Sequence, residues 1–380
     1  MNFSKLDAYL ESLPGYGLPA CDLAVTYRGE TVYRRAVGYA DVEKTRPTSE
    51  NDLYYTFSVT KTTTCICAMR LVEEGKLGLD DPVSNYLPAY AYLTVKGPNG
   101  KIVPATKAMT VRHLFTMTGG LNYDIKSAPI LRALQDPNAD TISIVNSFVE
   151  SPLDFEPGTR YQYSLCHDVL AAVVEVVSGM RFADYVKRYV LDPLGMTNTG
   201  FHLPEELRPR MSQLYTFVHG PMKAEPVELK NPYIFNDRYD SGGAGYYSCV
   251  NDQIRLMTVM ANGGSTEDGY SLLRPETIRL MMVGQLDDEQ RKSFCPTHRY
   301  GYNYGLGGRA HEDPVLSRSL SSIGEFGWGG AASAYNLIDP EKRVAIYFAT
   351  HVKSSQFAHH CVHPTLRNLA YEAIEEELKA

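Results

Sequence analysis

Ser58-Val59-Thr60-Lys61 sets a serine and a lysine three residues apart where a helical period begins. That spacing brings both side chains onto one helical face, so an amine can take the proton from a hydroxyl that is otherwise a poor nucleophile. Taken alone the pattern is weak, because a serine three residues ahead of a lysine turns up about once by chance in a chain of this length. Without its context, Ser58 would be an N-cap and Lys61 a surface lysine. The meaning of the stretch comes from what surrounds it.

Upstream, residues 22–27 and 31–39 are two strand-like runs joined by Arg28-Gly29-Glu30, as in a hairpin. Downstream of Phe57 the period becomes helical through Cys65, Ala68, Met69 and Val72 and stops at Gly75 and Gly78. From Asp80-Asp81-Pro82 onward the chain reads as mostly helical and loop-like, with helices over 111–117, 142–149, 168–177 and 182–190. Strand character returns at 334–338 and 344–349, flanking the turn Asp339-Pro340-Glu341-Lys342, and an amphipathic helix over 366–378 closes the chain. The expected architecture is α/β: an antiparallel sheet built from both chain termini and flanked by helices, with an inserted mostly helical domain. The boundaries are 1–80 with 240–380 for the sheet domain and 81–239 for the insertion, with an active site in the cleft between them.

The 380 residues suffice for a substantial core, and 44% hydrophobic with 21% charged residues is the balance of a folded globular chain. A net charge of −7 without basic clusters argues against a nucleic-acid partner. No apolar run reaches the eighteen or so residues of a membrane span, and residues 1–13 show a helical period rather than a signal peptide, so the expected location is cytoplasmic. The seven cysteines, an odd number without metal-like spacing, suit free thiols in a reducing compartment.

Two further segments have the chemistry to meet Ser58 and Lys61. Glu156-Pro157-Gly158-Thr159-Arg160-Tyr161-Gln162-Tyr163 delivers tyrosines after a Pro-Gly turn. A buried tyrosine beside a lysine can shuttle a proton between nucleophile and leaving group, and Tyr163 is the candidate. Phe326-Gly327-Trp328-Gly329-Gly330-Ala331 leads into a strand whose backbone N–H groups can face a developing oxyanion, with Ser58 and Ala331 as the two donors.

Ser58-x-x-Lys61, Tyr163 and Trp328-Gly329-Gly330, in that order, resemble the serine β-lactamase-like superfamily with its penicillin-binding-protein fold, and most closely its family VIII carboxylesterases. Met117-Thr118-Gly119-Gly120-Leu121, Asp240-Ser241-Gly242-Gly243-Ala244-Gly245-Tyr246 and Tyr304-Gly305-Leu306-Gly307 look like the same family. The resemblance runs from about residue 21 to 349. It implies a serine β-lactamase/D,D-peptidase-like fold and the roles just given to Ser58, Lys61 and Tyr163. Two departures narrow it: Leu165 stands where the peptidase and β-lactamase pattern has an asparagine, and Trp328 where it has a lysine or histidine. Losing an amide and a cation while gaining an indole favours neutral esters.

The sequence therefore points to a serine hydrolase cleaving small-molecule carboxylic esters through a Ser58 acyl-enzyme, with Lys61 and Tyr163 as general base and acid. It needs no metal or organic cofactor. Trp328, Gly329, Gly330, Leu165 and Tyr123 are candidate substrate contacts, Tyr123 being equally readable as a structural tyrosine. A D,D-peptidase, D-aminopeptidase, weak β-lactamase, acyltransferase or silent scaffold are the alternatives, and the oligomeric state is left open. His167 offers a Ser-His pair, but no Gly-x-Ser-x-Gly elbow accompanies it, so it reads as a packed or exposed histidine. His359-His360-Cys361-x-His363 matches no established zinc spacing and reads as a turn before the last helix.

Overall fold

A computed structural model of the chain describes residues 1–220, 222–294 and 300–379. Five helices frame the site: α1 (Ser4–Ser12), α2 (Thr60–Glu73), α3 (Cys166–Ser178), α4 (Val250–Ala261) and α5 (His363–Lys379). The main sheet has seven strands: β1 (Ala20–Tyr27), β2 (Glu30–Gly38), β3 (Tyr302–Tyr304), β4 (Arg309–His311), β5 (Phe326–Gly327), β6 (Tyr335–Asp339) and β7 (Val344–Ala349). Their order is β2-β1-β7-β6-β5-β4-β3, with every neighbouring pair antiparallel. The N-terminal hairpin thus docks on β7, from Asp22 opposite Ala349 to Tyr27 opposite Val344.

Both faces of this sheet are covered. Leu6 and Leu10 of α1, with Leu366 and Tyr371 of α5, pack against Leu23, Val25, Leu337, Ile346 and Phe348. Ala24, Ile338, Ala345 and Tyr347 point the other way, into the large core shared with α2, α3 and α4. Burial on both faces is why β1 and β7 read as near-continuous apolar runs rather than alternating ones.

Helix α2 is enclosed on all sides, every residue from Thr60 to Met69 being buried. Three of its four threonine hydroxyls are satisfied internally. Thr60 Oγ1 donates to Phe57 O (2.6 Å), Thr64 Oγ1 donates to Gly242 O (2.7 Å), and Thr62 Oγ1 accepts from Asn336 Nδ2 (3.1 Å). These bonds clamp the helix between strand β6 and the 240–245 segment, which immobilises whatever its first turn carries.

The 81–239 stretch holds the expected helices, as Val111–Phe115, Thr141–Ser147, α3 and Phe182–Val186. It also holds hairpins where the sequence pattern shows only loop: Thr94–Lys96 with Ile102–Pro104, and Tyr215–Val218 with Lys223–Pro226. Three- and four-residue strands are too short to show a period. The His359-His360-Cys361 segment, expected as a turn, is helical (Ala358–Val362) and runs directly into α5. The six described cysteines are free; Cys295 lies outside the described residues. No helix among the described residues is long and apolar enough to cross a membrane.

One buried histidine ties the sheet to the nucleophile's strand. His351 Nδ1 donates to Ser212 O (2.9 Å), and its Nε2 accepts the Tyr55 N–H (3.1 Å), three residues before Ser58. That second bond requires the neutral ring, and burial pushes the pKa down to about 4. The unfolded chain binds this proton below about pH 6.5, and the folded chain binds it only near pH 4, so stability is lost as pH falls through that window. The contribution is on the order of 3 kcal/mol. His113 and His167, pushed down to about 4 and about 3, act with the same sign. In His351→Gln, which keeps an acceptor but cannot titrate, the decline of Tm between pH 6.5 and 4 should be shallower than in wild type. An unchanged slope in thermal melts would contradict this assignment.

Candidate active site

Phe57 introduces the nucleophile in a left-handed conformation, with φ 48°. For a bulky residue this costs on the order of 1–3 kcal/mol and persists only where packing imposes it. The Phe57 ring is buried edge-on against Tyr55 and Tyr233. The kink turns the chain out of the strand Tyr54–Tyr55 into a short 3-10 turn, Phe57–Val59, and then into α2. Ser58 sits in that turn at 8% exposure, while Lys61, in the first turn of α2, is fully buried.

The Lys61 amine is held by two acceptors, donating to Gly243 O at 2.6 Å and to the Tyr123 hydroxyl at 3.1 Å. In its neutral form the amine has two N–H groups and a lone pair, so with one N–H on Gly243 O the lone pair can turn to the Tyr123 hydroxyl and accept from it. Burial raises the Tyr123 pKa well above 10, against a smaller opposing influence of the neighbouring Ser58 side chain, so it remains a phenol at neutral pH.

Tyr163 stacks on Tyr123, with ring centroids 5.5 Å apart and planes 11° apart, and Trp328 stacks on the other face of Tyr163 at 5.6 Å. The Trp328 Nε1–H donates to the Tyr163 hydroxyl (3.1 Å), and Lys61 Nζ lies 4.8 Å from the Tyr163 ring centroid. The stack follows from pairing of two segments: Gln162 N donates to Met117 O (2.9 Å) and Leu165 N to Asn122 O (3.2 Å), so the two tyrosines ride on adjacent stretches of backbone. Of the two phenols, Tyr123 is the one hydrogen-bonded to the lysine.

Behind the lysine lies a carboxylate the sequence reading did not single out. Asp168 of α3 is buried, and its Oδ1 accepts from Tyr239 Oη (2.8 Å), Ser241 Oγ (2.7 Å) and Gly243 N (3.2 Å). Its Oδ2 has no hydrogen-bond partner among the described residues. A Cβ on Gly243 would sit 2.3 Å from that Oδ2 and 3.3 Å from Lys61 Nζ. Glycine is therefore required here for space, since it lets one peptide stand between carboxylate and amine. The sequence signal was an acid inside the apolar run of α3, whose observed start at Cys166 puts Asp168 in the first turn, facing inward.

Gly330 fills the same need across the cleft. A Cβ there would be 2.2 Å from Thr56 O, so the strand edge approaches the nucleophile's segment only because the side chain is missing. The amides of Ser58 and Ala331 make no backbone hydrogen bond among the described residues, which leaves both N–H groups available to an oxygen in the cleft.

Two cavities open along this strand edge. One, of about 480 Å³, touches Trp328 and Gly329; the other, of about 500 Å³, touches Ala331 and Tyr233; Gln356 and His359 line both. Leu165, expected at the substrate site, instead lines a third cavity of about 220 Å³ with Leu121, Asn122 and Leu153, which shares no lining residue with the other two. The 90–106 segment reaches that third cavity through Lys96. The 287–299 segment contains the helix Asp288–Phe294, and its residues 295–299 lie outside those described. His167 is buried and packed, its Nε2 3.2 Å from Phe115 O and 3.6 Å from Cys65 Sγ. The described residues contain no group of three or more potential metal ligands.

Comparison with known proteins agrees with this architecture. The Beta-lactamase family model matches residues 6–363, and the chain belongs to that family. Esterase EstB of Burkholderia gladioli is 30% identical over 350 residues, covering 86% of this chain and 84% of EstB. A putative D-alanyl-D-alanine carboxypeptidase of Escherichia coli K12 is 25% identical, covering 93% of this chain and 83% of its own length. The solved structure of EstCE1, described as a hydrolase with promiscuous acyltransferase activity, superposes with a TM-score of 0.80 at 26% identity, covering 97% of this chain and 98% of EstCE1.

Proposed function

We propose that this protein hydrolyses small carboxylic esters through a Ser58 acyl-enzyme. The observation that carries the reading is the buried cluster of Ser58, the Tyr123 hydroxyl and the Lys61 amine, set beside two unengaged backbone N–H groups. Ser58 Oγ attacks the ester carbonyl carbon while its proton moves to neutral Lys61, directly or by double transfer through the Tyr123 hydroxyl. The amides of Ser58 and Ala331 take the oxyanion, an effect of about 3 kcal/mol per donor. As the tetrahedral adduct collapses, the alkoxide leaves with a proton supplied by Tyr163 or Tyr123, the phenol then being recharged from the lysine ammonium. Water repeats the sequence to release the acid. The esterase and hydrolase among the relatives support this reaction class, and the indole at Trp328, in place of a cation, supports an ester over a β-lactam or a D-alanyl peptide.

The test is hydrolysis of a 4-nitrophenyl ester series and a chromogenic cephalosporin, side by side, by wild type and Ser58→Ala. Ester turnover that disappears in the variant, with little cephalosporin opening, is the expected result. Preferential cephalosporin opening would shift the assignment to a β-lactamase or peptidase. Because EstCE1 is described with acyltransferase activity, a competing alcohol belongs in the same assay, and an ester product formed at the expense of the acid would make acyl transfer the better description.

The two phenols are separable. Tyr123→Phe cuts the link between Ser58 and Lys61 and should lower kcat by about 10²-fold with KM little changed. Tyr163→Phe keeps that link and loses the bond to Trp328, so its larger effect should fall on leaving-group departure. Esters of poor leaving groups should therefore suffer more from Tyr163→Phe than nitrophenyl esters do, and equal sensitivity in a leaving-group series would remove the distinction.

A further inference from the structure

Asn336 is a fully buried amide near the start of β6, a place where a polar side chain without partners is costly. It lies opposite Trp328: β5 and β6 pair with Phe326 facing Ile338, and beyond β5 Gly329 faces Tyr335 in the same register. A hydrogen-bonded pair in an antiparallel ladder exchanges two backbone bonds. The first is regular here, Asn336 N donating to Trp328 O (3.0 Å). The second is not. The Trp328 N–H donates to the side-chain Oδ1 of Asn336 (2.5 Å), and the carbonyl that would have met it is taken by Arg309 Nη2 (2.9 Å), itself paired with Glu325.

Because Trp328 N is a donor, Oδ1 must face it, and that turns Nδ2 toward α2, where it donates to Thr62 Oγ1 (3.1 Å). Thr62 is next to Lys61 and four residues after Ser58, in the enclosed part of the helix. One amide thus spans from the Trp328 backbone to the element that carries nucleophile and base. Gly327 makes room for it, since a Cβ there would sit 2.2 Å from Asn336 O and 2.8 Å from Oδ1. The strand edge therefore meets the nucleophile's segment at two points: Thr62, through the Asn336 amide, and Thr56 O, through the missing side chain of Gly330. Ser58 lies between those two points in sequence, and Ala331 directly follows Gly330.

We propose that Asn336 is a positioning residue for the reaction: its amide holds the Trp328 backbone at a fixed distance from α2 and so sets the separation of the Ser58 and Ala331 N–H groups that take the oxyanion. The proposal rests on the Ser58 hydrolase reading and adds to it a residue that takes no part in the bond changes. Without the amide, the Trp328 N–H is free to close the regular ladder onto the carbonyl of residue 336, which draws the edge toward β6 and widens the gap to Ser58. Small displacements matter there, because both donors must reach the tetrahedral oxygen within hydrogen-bond distance at once.

The experiment measures kcat and KM for 4-nitrophenyl butyrate and the inhibition constant of butylboronic acid, which forms a tetrahedral adduct on a serine hydroxyl. It uses wild type, Asn336→Ala, Thr62→Val and Thr62→Ser, with Ser58→Ala as the blank and thermal melts alongside. Asn336→Ala should lower kcat by about 10²-fold, and Thr62→Val, which keeps the shape and loses the acceptor, by about tenfold, with KM within about twofold of wild type. Thr62→Ser, which restores the hydroxyl, should work near the wild-type rate. In each impaired variant the boronate should weaken by the factor lost from kcat/KM, because its adduct needs the same two donors. A loss of Tm with kcat unchanged, a boronate constant that stays at the wild-type value, or Thr62→Ser as impaired as Thr62→Val overturns the proposal; if Asn336→Ala does not fold, the Thr62 pair decides alone. Should wild type turn over no ester, the esterase reading falls by itself, and the rate at which a fluorophosphonate labels Ser58 decides the strut. Slower labelling in Thr62→Val than in Thr62→Ser supports it, and equal rates, or no labelling of wild type, overturn it.

Discussion

Ser58→Ala and Lys61→Met should each lower ester turnover by about 10⁴-fold or more, and the double variant should be no worse than either single one. The reason is that nucleophile and base act as a unit. Without the hydroxyl there is no acyl-enzyme, and without the amine the hydroxyl keeps its proton. What remains in all three variants is binding and the two backbone N–H donors, which set a common floor. Lys61→Met also leaves Gly243 O without its donor in a buried site, which costs about 1–3 kcal/mol of stability. Thermal melts alongside the kinetics separate that cost from the catalytic one. Additive losses in the double variant would mean that the two side chains serve different steps, and the Ser-Lys pair would have to be abandoned.

Gly243→Ala should be nearly as damaging, by a different route. The new methyl would be driven between Asp168 Oδ2 and Lys61 Nζ, displacing the amine from the Gly243 carbonyl and from the Tyr123 hydroxyl. Overpacking of this kind costs about 1–3 kcal/mol of stability, but a shift of the base by an ångström costs about 10²-fold or more in rate. The loss of kcat should therefore exceed what the stability loss accounts for. Asp168→Ala in the same chain should relieve part of the clash, so the two changes should couple rather than add.

Much of the sheet was legible from the ends of the chain. The hairpin at residues 22–39 and the strands at 334–349 carry long β-rich runs, and the helix after Phe57 follows a clear change of period. The rest of the sheet was not, because β3, β4 and β5 are two or three residues long and owe their strand geometry to neighbours rather than to their own pattern. At the site, Ser58, Lys61, Tyr163 and Trp328 were recognisable because their order along the chain forms a family pattern. Tyr123 was left undecided, since nothing local separates a packed tyrosine from one whose hydroxyl meets a lysine 62 residues away. Asp168 was invisible for a related reason: it is an acid on a helix, and only the tertiary structure shows that it does not face water. Leu165 illustrates the reverse case, a residue placed by its register next to Tyr163 whose side chain turns into a different cavity.

The most direct test of the account is intact-mass and peptide mass spectrometry of the protein quenched in acid during turnover of 4-nitrophenyl butyrate. A butyryl adduct that maps to Ser58, is absent from Ser58→Ala and accumulates less in Lys61→Met is the expected result. Ester turnover by wild type with no adduct on Ser58, or with the adduct on another residue, would contradict it.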